Sequence, residues 1–90
     1  MKNDFADFTI ELQLSDLTKT RAELIIFIDK NPCSEVLLGG KKQKIVVMAI
    51  NDILQIPITV INTPDIYRRD IQVFDRGTPR IRKIKRIIYE

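Results

Sequence analysis

Cys33 is the chain's one thiol and its strongest nucleophile. It follows Asn31-Pro32, a pair of the types that open a helix. Asparagine caps unpaired N–H groups, and proline lacks the N–H that would go unsatisfied at the first helical position. A thiol at such a place is activated, because the partial positive end of the helix stabilises thiolate over thiol, and Lys30 adds a nearby cation. Three residues on stands Val36 rather than a second cysteine. A mixed disulfide at Cys33 would therefore need an external thiol such as glutathione to release it. The plainer reading of Cys33 is a small packing residue with no chemistry. The chain has no histidine, which excludes Ser-His and Cys-His triads and histidine zinc sites. No pair of carboxylates stands at a spacing that specifies a glycosidase or a metal site. Gly39-Gly40-Lys41-Lys42 lacks the glycine and lysine spacing of a phosphate loop and reads as a helix interruption.

The second chemical feature is charge. The net charge of +3 hides an asymmetry: residues 1–40 carry seven acids and four bases, and residues 41–90 carry five acids and eleven bases. Arg80, Arg82, Lys83, Lys85 and Arg86 fall within seven residues. Such a cluster attracts phosphate or an acidic protein surface, or is simply a solvated face. For single-stranded nucleic acid, only Tyr67 and Tyr89 stand out as aromatics for base stacking.

The elements that must position these groups read as follows. Ninety residues with 44% hydrophobic content make one globular domain, residues 1–90. The polar start Met1-Lys2-Asn3-Asp4 is no signal peptide, no apolar run is long enough to span a membrane, and a lone cysteine fits a reducing, cytoplasmic setting. Residues 8–14 alternate with period two, a half-buried strand, and Ser15-Asp16 caps a short helical turn over 17–21. Leu24-Ile25-Ile26-Phe27-Ile28 is apolar without alternation, which predicts a strand covered on both faces in a parallel sheet. A helix from Asn31-Pro32 runs to Gly39-Gly40. A clearer one covers 42–55, where Ile45, Ala49 and Ile53 lie beside Val46, Ile50 and Leu54 at i, i+4 spacing. Residues 57–62 form a strand that Pro57 opens, giving a βαβ unit with a right-handed crossover. Thr63-Pro64-Asp65 opens a short helix to about residue 70. Residues 71–76 read as loop or short extended chain. Residues 80–90 fit both a helix, from the spacing of Ile81, Ile84 and Ile88, and a lysine- and arginine-protected edge strand.

This order, with Phe27-Ile28-Asp29-Lys30-Asn31-Pro32-Cys33 before a helix and Gly77-Thr78-Pro79 before a final strand region, resembles the thioredoxin/glutaredoxin superfamily. The resemblance implies an α/β, thioredoxin-like fold: a mixed central sheet of about four strands flanked by two or three helices, a cis peptide at Pro79, and a final strand over 80–90. The missing second cysteine and the short chain after Pro79 are similar to members that bind rather than oxidise, such as the KaiB-type proteins. The expected function is a small regulatory protein that contacts an unidentified protein partner through Asn31, Pro32, Ser34, Thr78 and Pro79. The basic residues Arg80, Arg82, Lys83, Lys85 and Arg86 aid that contact. No metal, membrane or cofactor is expected. Two alternatives stand: a monothiol glutaredoxin-like enzyme with Cys33 as the catalytic residue and glutathione as its co-substrate, and a nucleic-acid-binding protein using the basic C-terminal strand.

Overall fold

The computed structural model describes residues 5–13, 15, 22–38 and 48–90. Period-two patterning in the first segment gives β1 (Phe5–Gln13), and the apolar run gives β2 (Ala22–Ile28). The strands that follow are β3 (Asn31–Leu38), β4 (Met48–Ile50), β5 (Ile53–Ile61), β6 (Ile71–Asp75), β7 (Arg80–Arg82) and β8 (Arg86–Tyr89). A single 3₁₀ turn, Ile66–Arg68, lies between β5 and β6. The strands form two four-stranded sheets, ordered β4-β5-β1-β8 and β3-β2-β6-β7, and every pairing is antiparallel. Phe8, Ile10, Leu12, Leu54, Ile56, Ile58 and Val60 of the first sheet share one core with Ala22, Leu24, Ile26, Ile28, Val36, Ile71 and Val73 of the second. The result is a β-sandwich in which the inner strands bury alternate apolar residues against the facing sheet.

This architecture overturns the α/β, thioredoxin-like expectation, and the reasons are local. The helix expected at Asn31-Pro32 is strand β3. Asp29 and Lys30 both have positive φ, 50° and 67°, and form a two-residue hairpin turn of the primed kind that matches strand twist. Pro32 is tolerated because β3 is an edge strand and the β2–β3 register shifts just there, between Ile26 and Phe27. The helix expected over 42–55 gives way, in its described part, to a second tight hairpin: β4, Asn51-Asp52 with φ 54° and 64°, and β5. There is accordingly no βαβ unit between β2 and β5, which belong to different sheets. Pro57 does not open a strand but stands within β5 opposite Thr9. β4 pairs only with Ile53 to Gln55, so beyond Gln55 the far flank of β5 is an open edge, where a proline breaks no ladder bond. The short helix after Thr63-Pro64 is the 3₁₀ turn alone, and of the two readings of residues 71–76, loop or short extended chain, the extended one holds: Ile71–Asp75 is an inner strand of the second sheet. Residues 80–90 resolve into two edge strands, one in each sheet. The Thr78–Pro79 bond is trans, as no cis peptide occurs among the described residues. The helical turn expected over 17–21 and the Gly39-Gly40-Lys41-Lys42 stretch lie outside the described residues. No helix among the described residues is long and apolar enough to cross a membrane.

Candidate functional site

The residues singled out in the sequence fall into three separate places. Asn31, Pro32, Cys33 and Ser34 begin β3, beside the Ile28–Ile71 end of the second sheet. Thr78 and Pro79 lie in the turn after Asp75, at the Leu24–Asp75 end. Four ladder steps of β2 separate the two ends, about 13 Å of strand, so the fold does not bring them to a common face. Cys33 stands on a strand, with no helix end to stabilise its thiolate. The residue is open to solvent along the sheet edge, yet partial burial of the thiol pushes its pKa up, against the direction that activation requires.

Thr78 and Arg82 belong to a buried network rather than to a surface. Asp75 is fully buried and Arg82 is 3% exposed, and their ion pair measures 2.8 Å from Nη2 to Oδ2. The Thr78 hydroxyl donates to Asp75 Oδ2 at 2.8 Å and accepts from Arg82 Nη2 at 2.6 Å. Asp75 Oδ1 accepts the backbone N–H groups of Gly77 at 3.0 Å and Glu23 at 3.4 Å. Burial pushes the Asp75 carboxyl up, but Arg82, Thr78 and the two N–H groups outweigh it and hold the carboxyl below its usual range. The network ties the 76–79 turn to β2 and β7.

Arg86 is likewise engaged. Its Nε donates to Glu11 Oε1 at 2.9 Å, and Gln55 Nε2 donates to Glu11 Oε2 at 2.7 Å. Glu11 is only 4% exposed, and Arg86 and then Gln55 lower its pKa. Two of the five clustered bases therefore hold the fold together. Arg80, Lys83 and Lys85 are exposed and have no salt bridge among the described residues.

The outer faces of the two sheets differ in kind. On the first, cross-strand hydrogen bonds join Thr59 to Asp7 (2.7 Å), Gln55 to Glu11, and Gln13 to Asp52 (2.8 Å); the Phe5–Ile61 pair at one end is its exposed apolar spot. On the second, Ile25, Phe74 and Ile81 lie directly across β2, β6 and β7 in one row. Phe27 adjoins them two residues along β2 on the same face, opposite Gln72. Ile81 is 59% exposed, and Ile25, Phe27 and Phe74 are half-buried. Phe27, Phe74, Ile81, Gln72 and Lys30 line a shallow groove of about 270 Å³. No other element described here covers this row. The absence of alternation in residues 24–28 was its signal in the sequence: Leu24, Ile26 and Ile28 enter the core, while Ile25 and Phe27 face outward.

A second groove, of about 420 Å³, includes Asp29, Asn31, Cys33, Asn62 and Arg69 in its lining. Its guanidinium is already occupied: Arg69 Nη1 bonds Asp29 Oδ2 and Arg69 Nε bonds the Pro64 carbonyl, each at 3.1 Å. Among the described residues no cluster of three or more His, Cys, Asp or Glu is placed to hold a metal ion. No model of a known protein family matches the chain, and neither a curated protein nor a solved structure matches it.

Proposed function

We propose that the protein is a binding module that acts by contacting another protein through the outer face of its second sheet. The observation that carries this reading is the row Ile25–Phe74–Ile81 with Phe27 beside it, an apolar patch on a face that nothing described here covers. Contiguous apolar patches rimmed by polar residues mark interaction sites. Covering a fully exposed Ile-sized side chain is worth about 1.5–3 kcal/mol. Ile81, at 59% exposure, would gain roughly half or more of that, and aromatic neighbours such as Phe27 and Phe74 are the types that dominate contact energetics. A reducing, cytosolic setting goes with this reading, since the chain's single cysteine forms no disulfide of its own. A contact role is also favoured over thiol chemistry by the raised pKa of Cys33, and over nucleic-acid binding by the commitment of Arg82 and Arg86 to ion pairs.

The test is site-specific photo-cross-linking in the native host, with the photoreactive residue placed at Ile81 and, as control, at Thr59 on the first sheet. The expected result is a discrete protein adduct from position 81, lost on Phe74→Ser and kept on Cys33→Ser. Equal adducts from both positions, or adducts indifferent to Phe74→Ser, would refute the reading.

A further inference from the structure

We infer that the open flank of β5 is a self-association edge, on which a second copy of the chain adds its own β5 antiparallel across a two-fold axis. This edge belongs to the first sheet and is separate from the contact face proposed above. The two-residue Asn51-Asp52 hairpin makes Ile50 and Ile53 a hydrogen-bonded pair. The backbone of Ile53 and Gln55 therefore turns towards β4, and that of Leu54 towards β1. The β1–β5 register runs unbroken from Ile53 to Ile61, which carries the alternation on. Ile56, Ile58 and Val60 bond β1, while Pro57, Thr59 and Ile61 turn their backbone groups away from it. Two observations agree. Pro57, with no N–H to give, falls in the outward set, and the Asp7 carbonyl, opposite Thr59, accepts from the Glu90 N–H on the β8 side. Beyond Gln55 the edge presents the Pro57 carbonyl, the Thr59 N–H and carbonyl, and the Ile61 N–H, with no backbone partner among the described residues. The Ile61 carbonyl accepts the Thr63 hydroxyl at 3.2 Å.

These groups match themselves. With Thr59 of one copy opposite Thr59 of the other, each Thr59 N–H meets the Thr59 carbonyl of the second copy, and each Ile61 N–H meets a Pro57 carbonyl. The donor that proline lacks would have gone to the Ile61 carbonyl, which Thr63 already holds. The pairing also ends where it must. Asn62, at φ 57°, bends the chain away just past Ile61, before the Gln55 position that β4 occupies. Residues 56–61 carry no charge, so no like charges stand opposite each other across the axis. Other edges are guarded: β3 by Pro32, a register shift and Glu35, β7 by Arg80 and Arg82, and β8 by Arg86. Thr59 to Thr63 line the open groove of about 420 Å³ beside β3, which leaves the edge accessible. The exposed Ile61 side chain gains Pro57 of the second copy as a neighbour.

The test is sedimentation velocity of the intact chain over a range of concentrations, with amide exchange at the two extremes. A strand pair alone is a small contact, so the expected result is a weak dimer that grows with concentration and protects the Thr59 and Ile61 amides. Thr59→Pro removes both central N–H donors, and Thr59→Lys sets like charges opposite each other. Each should raise the dissociation constant at least about tenfold. Both should keep the circular dichroism of the monomer, since the position 59 backbone does not bond β1; Thr59→Lys carries the test if the proline variant does not fold. A photoreactive residue at position 59 should give a band at twice the chain's mass, distinct from any partner adduct at position 81. A monomer at about 1 mM, or a dimer that withstands Thr59→Lys, would overturn the inference and leave the second-sheet contact standing. A dimer abolished by Ile81→Ser and indifferent to Thr59→Lys would overturn it too, and move self-association to the second sheet.

Discussion

Replacing Asp75 with alanine removes the acceptor of five hydrogen bonds at once: two from Arg82, one from Thr78 and one each from the Gly77 and Glu23 backbone. What remains is a guanidinium 3% exposed to solvent that has lost the Asp75 carboxylate. Breaking a buried pair from one side costs about 3–5 kcal/mol, because the surviving charge stays buried without compensation. Domains of this size are stable by roughly 5–13 kcal/mol, so the variant should lose about a quarter or more of its margin. In equilibrium urea unfolding the midpoint should fall sharply with little change in slope. Asp75→Ala/Arg82→Met should cost clearly less than Asp75→Ala alone, since removing both charges removes the penalty. Acid titration adds a second readout. The folded-state pKa of Asp75 lies below its unfolded value of about 3.9. Its contribution is therefore fully present above that unfolded value and is lost as pH falls through the folded pKa. Glu11, Asp29 and Asp52 are shifted in the same direction, chiefly by hydrogen bonds from Arg86, the Asp70 N–H and Gln13. Stability should be flat from about pH 5 to about pH 8 and fall below about pH 4, less steeply in Asp75→Asn. A cost below about 1 kcal/mol for Asp75→Ala, the size of a surface pair, would refute the account of the buried network.

Three other outcomes follow from the same structure. Ile26→Ala empties a fully buried core position and should cost about 2–5 kcal/mol, whereas Ile25→Ala on the outer face should cost about 1 kcal/mol or less; equal losses in chemical denaturation would mean that both faces of β2 are covered. Lys30 adopts φ 67°, which glycine tolerates best, so Lys30→Gly should raise the melting temperature, with a gain of at most about 1 kcal/mol; a drop would contradict the turn geometry. Cys33 should alkylate with a pH midpoint above the free-thiol value of about 8.5, since burial raises its pKa; a midpoint below it would restore the activated thiol.

The strands whose information is local were readable. β1 alternates in the sequence, and residues 24–28 and 57–62, read as strands, fall largely within β2 and β5. The misreadings share one cause: positions whose meaning depends on a distant residue. Asp29-Lys30 and Asn51-Asp52 make hairpin turns without glycine, so the usual turn signal is missing and Asn31-Pro32 reads as a helix start. The same hidden turn lets Ile45, Ala49 and Ile53 mimic a helical row, although Asn51-Asp52 folds the chain back between Ala49 and Ile53. In β6 the inward positions are Ile71, Val73 and Asp75. An inward aspartate looks like loop until Arg82 is placed beside it. Likewise, five bases of equal rank in the sequence divide by their place in the two sheets. Arg82 pairs with Val73 in register and points inward, Ile81 pairs with Phe74 and points outward, and Arg86, in β8 of the first sheet, pairs with Glu11 directly across from it on β1. The candidate face was half legible, as the run that needed cover on both sides. Its other half, Phe74 and Ile81, depended on antiparallel pairing that residue types alone do not specify.

The most direct measurement is the affinity of the partner captured from position 81 for three purified proteins: wild type, Ile81→Ser and Cys33→Ser. The contact-face account predicts at least about a tenfold loss for Ile81→Ser, in line with the truncation of a central apolar anchor, and no change for Cys33→Ser. Unchanged affinity in Ile81→Ser together with a loss in Cys33→Ser would contradict it and move the site to the β3 edge.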